Sequence, residues 1–151
     1  MPTGVGLDPA TKTGFCTIHD HGTWNLRIDE RESNGDLMCR LEENLYELNE
    51  DDELEWIAYE EAGFASRGHD VALFHHQLRG VVMLVAARLK ISTFGYVPTS
   101  IKKYATDSGS ATKSQMIHAA SRVLHKRCVD DNDADACFVF DMASKNYPPT
   151  Y

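Results

Sequence analysis

Three groups of acids stand far apart in this chain, each where a short apolar segment ends or begins. Asp8 closes the run Val5-Gly6-Leu7-Asp8, Glu60 and Glu61 close an apolar run over residues 54–59, and Asp131, Asp133 and Asp135 open a periodic segment over 130–143. Acids four residues apart, such as Asp131 and Asp135, share one face of a helix. If the first and fourth strands are neighbours in a sheet, Asp8 and Glu60 come to the same rim. Carboxylates gathered so closely repel unless a hard cation neutralises them, and Mg²⁺ or Mn²⁺ prefers oxygen ligands. Two such ions about 3.5–4 Å apart can activate a water and stabilise the leaving oxygen of a phosphodiester. Singly, each acid has a plainer reading. Asp8 before Pro9 is a common turn opener, Glu60-Glu61 could be a solvated strand end, and acids favour the first turn of any helix. Specificity comes from the order: strand and acid, strand and acid, helix and acid.

The elements that must position these acids are legible from turn residues and periodicity. Residues 5–8 read as a buried strand, 9–14 as a turn, 15–18 as a second strand, 19–22 as a turn and 23–28 as a third strand, which together make an antiparallel meander. Over 36–50 the period becomes helical, with Leu37, Cys39 or Leu41, Leu45 and Leu48 on one face. An acidic connector over 50–53 leads to a fourth strand over 54–59 and a loop over 62–68. Residues 69–89 predict one long helix that is apolar nearly all round and so buried on more than one side. A fifth strand over 91–97 stops at Pro98. Helices are expected over 99–105, 111–124 and 130–143, and a frayed tail over 146–151. The order βββαβαβ followed by helices predicts an α/β fold: a mixed five-stranded sheet flanked by helices, in one domain spanning 1–151.

The net charge is −8, yet it is unevenly distributed. Residues 29–61 hold fourteen acidic and two basic side chains, whereas 67–127 hold ten basic and two acidic ones. Such polarity permits a polyanion partner despite the acidic total, because affinity for nucleic acid depends on local phosphate contacts. No stretch is apolar and long enough to span a membrane, and the start of the chain lacks a basic region before its apolar run, so a cytoplasmic location is expected. Cys16, Cys39, Cys128 and Cys137 form no CxxC pair and match no zinc-ligand spacing, so they read as small apolar side chains.

Four segments resemble the motifs of RuvC-type Holliday junction resolvases, in order and over nearly the whole chain. They are Gly6-Leu7-Asp8-Pro9 with Thr13-Gly14; Ala58-Tyr59-Glu60-Glu61; the stretch 98–113 with Ile101-Lys102 and Gly109-Ser110-Ala111-Thr112-Lys113; and Asp131-Asn132-Asp133-Ala134-Asp135-Ala136. Compact length and the last motif's form resemble the phage or viral branch, and Arg79-Gly80 in the long helix agrees with it. The resemblance implies a ribonuclease-H-like fold, a homodimer, and an endonuclease that resolves four-way junctions by paired nicks in opposed strands, leaving 5′-phosphate and 3′-hydroxyl ends. It implies two Mg²⁺ ions per active site, with Mn²⁺ able to substitute.

Carried over residue by residue, Asp8, Glu60 and Asp135 are metal-binding carboxylates, and Glu61 replaces Glu60 if the strand register shifts by one. Asn132 stands where cellular members have Asp or His, which leaves Asp131 as the fourth carboxylate. Lys113 matches the lysine near the scissile phosphate. Lys102 and Lys103 read as the better candidates for gripping the DNA backbone, ahead of Arg67, Lys126 and Arg127, and Phe64 lies near the place of an aromatic that stacks at the opened junction. The helix over 69–89 resembles the dimer helix. Other readings are a broader debranching nuclease acting on forks and flaps, and a non-catalytic junction-binding module, which Asn132 permits. An actin-like phosphate loop is a third, disfavoured because the chain is too short for two lobes.

Overall fold

The computed structural model of the chain describes residues 2–63 and 68–147. Five strands, β1 (Gly4–Asp8), β2 (Lys12–Cys16), β3 (His21–Asn25), β4 (Trp56–Glu60) and β5 (Ser92–Tyr96), form one sheet in the order β3-β2-β1-β4-β5. β1, β2 and β3 pair antiparallel, while β4 runs parallel to β1 and β5 parallel to β4. The helices are α1 (Asn34–Asp52), α2 (His69–Leu89), α3 (Pro98–Thr106), α4 (Lys113–Val123) and α5 (Asp131–Asn146).

Helices cover both faces of the sheet. On one side Leu37, Leu41 and Leu45 of α1 and Phe74, Leu78, Val82 and Val85 of α2 pack on Val5, Leu7 and Ile57. On the other, Phe138, Val139 and Met142 of α5 join Ile101 of α3, Met116 of α4 and Trp56. This double cover explains why β1 is buried at every position rather than alternating. Two glycines set how closely α5 approaches. A Cβ on Gly6 would lie 2.4 Å from the Phe140 backbone nitrogen, and one on Gly14 would lie 1.9 Å from the Asn132 carbonyl oxygen. Glycine at both sites lets the α5 backbone rest directly on β1 and β2. Among the described residues no helix is long and apolar enough to cross a membrane.

The mixed sheet and the order of elements agree with the expectation, whereas several boundaries move. The turn expected over 9–14 is shorter, because Thr13 Oγ1 donates to the Ala10 carbonyl at 2.6 Å and β2 already begins at Lys12. The next turn falls at 17–20 instead of 19–22, since Thr17 Oγ1 accepts from the backbone nitrogens of His19 and Asp20, each at 3.1 Å. β3 therefore runs from His21 to Asn25, not to residue 28, and Ile28 is exposed. In α1 the inward residue is Leu41, and Cys39 is exposed. α1 starts earlier than its apolar period because Ser33 and Asp36 form a reciprocal capping box. α4 starts at Lys113, two residues later than expected, behind a second box formed by Thr112 and Gln115.

Candidate active site

Leu7 pairs with Tyr59 across the parallel β1–β4 ladder, which carries Asp8 and Glu60 to the same edge of the sheet. α5 begins at that edge. Its N-cap Asp130 accepts from the Asp133 backbone nitrogen at 2.9 Å and from Thr23 Oγ1 at 2.8 Å, which fixes the start of the helix to β3. Asp135, just over a turn in, then meets the two strand-end acids. One carboxylate oxygen from each of Asp8, Glu60 and Asp135 lies within 4.8 Å of the others. Asp131, one turn earlier on the same helix face, lines the same cleft of about 280 Å³, as do Asn132 and Glu61.

This environment opposes three free negative charges. Burial pushes the Asp8 carboxyl well above the usual range, and the charge and hydrogen bond of Glu60 add to it. Burial raises Glu60 to about 7, against the lowering effect of its hydrogen bond with Asp8. Burial, with the charges of Asp8 and Asp131, raises Asp135 to about 8, against the lowering effect of Lys102 and Lys113. Asp135 Oδ1 is buried and accepts no hydrogen bond among the described residues. A buried oxygen left without a donor costs about 1–3 kcal/mol. A hard divalent cation would satisfy that oxygen and remove the mutual repulsion, so the donor set suits such an ion.

Arg79 holds the frame of the site. It projects from the middle of α2 and is 7% exposed. Its Nε donates to the Glu60 carbonyl at 2.9 Å, and its Nη1 to the carbonyls of Pro9 at 2.7 Å and His75 at 2.8 Å. One guanidinium therefore ties the ends of β1 and β4 to α2. The sequence shows Arg79 within the long helix but not this role. The available signal was a charged residue beside Leu78 and Val82 on a face that must be buried.

The remaining predicted residues are placed unequally. Lys113 opens α4 at the mouth of the cleft, its Nζ 3.9 Å from Asp131 Oδ2. Lys102 of α3 lines the cleft, whereas Lys103 is exposed and outside its lining. Glu61 is exposed and lies against Gly95 of β5, outside the close trio. Arg127 borders a separate depression beside Ser114 and Cys128. Lys126 is half-buried after α4, its backbone nitrogen bonded to the Ala120 carbonyl. Phe64 and Arg67 lie outside the described residues.

The family model described as crossover junction endodeoxyribonuclease RuvC matches residues 5–140. A relative of that name from Chelativorans sp. (strain BNC1) is 29% identical over 145 residues, covering 89% of this chain and 84% of that one. Another, from Pelodictyon phaeoclathratiforme, is 28% identical over 128 residues, covering 80% of this chain. The match spans 66% of the Pelodictyon protein's length. Among solved structures, T. thermophilus RuvC in complex with Holliday junction substrate superposes with a TM-score of 0.77 at 18% identity, covering 95% of this chain and 93% of that one. That likeness is one of fold, and it identifies the sheet and its helices as ribonuclease-H-like.

Proposed function

The chain belongs to the RuvC family of crossover junction endodeoxyribonucleases, and on that premise we propose that it resolves Holliday junctions by nicking opposed strands. The observation that carries this reading is the convergence of Asp8, Glu60 and Asp135 from β1, β4 and α5, with one buried carboxylate oxygen lacking a donor among the described residues. Asp8, Glu60, Asp131 and Asp135 would hold a pair of Mg²⁺ ions, with Mn²⁺ able to substitute. When bound, these supply charge neutralisation at the phosphodiester and a more acidic attacking water. The protein's part is to aim that chemistry. Arg79 fixes the strand ends that carry Asp8 and Glu60, and α5 fixes Asp131 and Asp135 as one rigid unit. Lys102 and Lys113 place positive charge at the cleft, where a phosphate backbone would lie, and Lys103, Arg67 and Phe64 are assigned to DNA contacts. The site of action is the cytoplasm.

Lys113 is assigned to the charge that builds on the phosphoryl oxygens. Lys113→Ala is expected to slow cleavage about 10²–10³-fold while junction binding changes far less. Single-turnover rates and gel-shift affinities on the same junction check this.

Two opposed nicks need two sites, and α2 has a face for a second copy. Phe74, Leu78, Val82 and Val85 point into the domain, whereas Leu73, Met83 and Leu84 are exposed, at 47%, 53% and 47%. They flank Gly80, which has open space where a Cβ would sit. We assign this face to a homodimer. Met83→Glu is expected to give a folded monomer by light scattering that has lost concerted bilateral cutting.

The direct test is a labelled synthetic four-way junction with Mg²⁺, compared with a fork and a linear duplex. Ligatable nicks at symmetric positions in two opposed strands support the proposal. Equal cutting of forks favours the broader debranching activity, and binding without cutting, in Mn²⁺ as well, leaves a junction-binding module.

A further inference from the structure

A second group of side chains of metal-ligating type lies on the other side of the α5 N-terminus from the acid cleft. His21 opens β3, Cys128 lies in the connector before α5, and Asp133 and Cys137 are four residues apart on α5. One ligand atom from each of the four lies within 4.8 Å of all the others. We propose that His21 Nδ1, Cys128 Sγ, Asp133 Oδ1 and Cys137 Sγ form a tetrahedral structural zinc site.

The donor set and spacing both point to this ion. Two sulfurs, one imidazole nitrogen and one carboxylate oxygen suit a borderline-soft divalent metal and do not suit Mg²⁺. With Zn–S bonds of about 2.3 Å, tetrahedral geometry separates two sulfurs by about 3.8 Å. Cys128 Sγ and Cys137 Sγ are 3.9 Å apart, and Cys137 Sγ is 3.6 Å from Asp133 Oδ1. His21 Nδ1 lies 2.8 Å from Asp133 Oδ1, so this pair opens by roughly half an ångström to reach the ligand spacing of about 3.4 Å.

The second observation is Asp133 itself. Its carboxylate is fully buried, and no lysine or arginine pairs with it among the described residues. The other oxygen, Oδ2, already accepts from the Val129 backbone nitrogen at 2.9 Å. That bond orients the carboxylate as an outer-shell donor does in zinc proteins, and it turns Oδ1 toward His21 Nδ1 and Cys137 Sγ, two of the other proposed ligands. Coordination takes both cysteines as thiolates and passes their protons to the buffer.

The site would fasten β3 and the α4–α5 connector to α5 at the turn between Asp131 and Asp135. Its bearing on cleavage depends on the junction-resolving function proposed above, but its existence does not. Spacing could not reveal it, because His21 lies more than a hundred residues before its partners and the cysteines are nine apart.

The test reads metal, not activity. The 151-residue chain, purified under reductant, is reconstituted with Zn²⁺ or Co²⁺ in excess Mg²⁺, which keeps the acid cleft supplied. About one zinc per chain is expected after dialysis, and Co²⁺ should give a thiolate charge-transfer band with the intense visible bands of a tetrahedral centre. Cys128→Ser should lose both. The half-exposed His21→Ala should keep its fold by circular dichroism and still lose stoichiometric zinc. Asp8→Asn should keep both signals. Folded, reduced wild type without thiolate–cobalt bands overturns the site, as do undiminished bands in His21→Ala and Cys128→Ser, or a Cys128–Cys137 disulfide that persists under reductant.

Discussion

Asp8→Asn is expected to lower junction cleavage by about 10³ or more, roughly 4 kcal/mol of transition-state stabilisation, and to raise the thermal stability of the metal-free protein. The two effects have one origin. Asp8 is buried beside Glu60 and close to Asp135, so its charge is costly until a cation arrives. An amide keeps the shape and removes that charge together with a ligand oxygen. The same reasoning sets a pH dependence. Burial holds Glu60 at about 7 and Asp135 at about 8, whereas unfolded carboxyls titrate near 4. Between those values the folded state binds more protons than the unfolded state. The stabilisation is therefore complete below about pH 4 and is lost as the pH rises through about 8. Metal-free protein should melt at a lower temperature at pH 8 than at pH 5, and Mg²⁺ should raise Tm more at pH 8. Differential scanning fluorimetry at both pH values checks this, with Asp135→Asn expected to flatten the slope. An equal slope in that variant would remove the acid cluster as its cause.

Much of this site is legible in the sequence, for identifiable reasons. Asp8 and Glu60 end apolar runs, and strand ends on a shared rim need only the right pairing to meet. The long helix at 69–89 is legible in the sequence because its apolar period is continuous. What escaped depends on contacts distant in sequence or on single side-chain bonds. The hairpin boundaries follow from the hydroxyls of Thr13 and Thr17. Asp131, Asp133 and Asp135 look equivalent as a string, yet helical geometry sends Asp133 toward His21 and its neighbours toward the cleft. The cysteines read as apolar filler, which describes the burial of Cys16, Cys128 and Cys137 but not the company they keep. Arg79 was visible only as a charge out of place until its three carbonyl partners were known.

Gly14→Ala and Gly6→Ala are expected to damage the enzyme nearly as severely as loss of a metal ligand, although neither position carries a functional group. Helix α5 brings Asp135 to Asp8 only because its backbone rests on the bare Cα atoms of β1 and β2. At Gly14 a methyl group would meet the Asn132 carbonyl oxygen at 1.9 Å and its carbon at 2.3 Å. At Gly6 it would meet Phe140 nitrogen at 2.4 Å and Ala136 oxygen at 2.6 Å. These are backbone atoms, so no rotamer change relieves the clash, and the whole helix must lift. Overpacking of this kind costs about 3 kcal/mol, a fall in Tm of about 6–12 °C for a chain of this length. The chemical consequence is separable from the thermal one. Asn132 lies between Asp131 and Asp135, so lifting the helix at Gly14 draws both away from Asp8 and Glu60. A displacement near 1 Å is enough to cost about 10² in rate. Gly14→Ala assayed well below its Tm should therefore remain folded by circular dichroism, cut junctions about a hundredfold more slowly, and show a smaller Mg²⁺-induced rise in Tm. Gly35→Ala is the control. Gly35 lies in the first turn of α1, and its nearest neighbour, Ser33 Oγ, would be an ordinary 3.5 Å from a new methyl group. That variant should be as active as wild type and equally or slightly more stable, by up to about 1 kcal/mol. Wild-type cleavage by Gly14→Ala would mean that α5 reaches the sheet edge without the close approach these glycines permit.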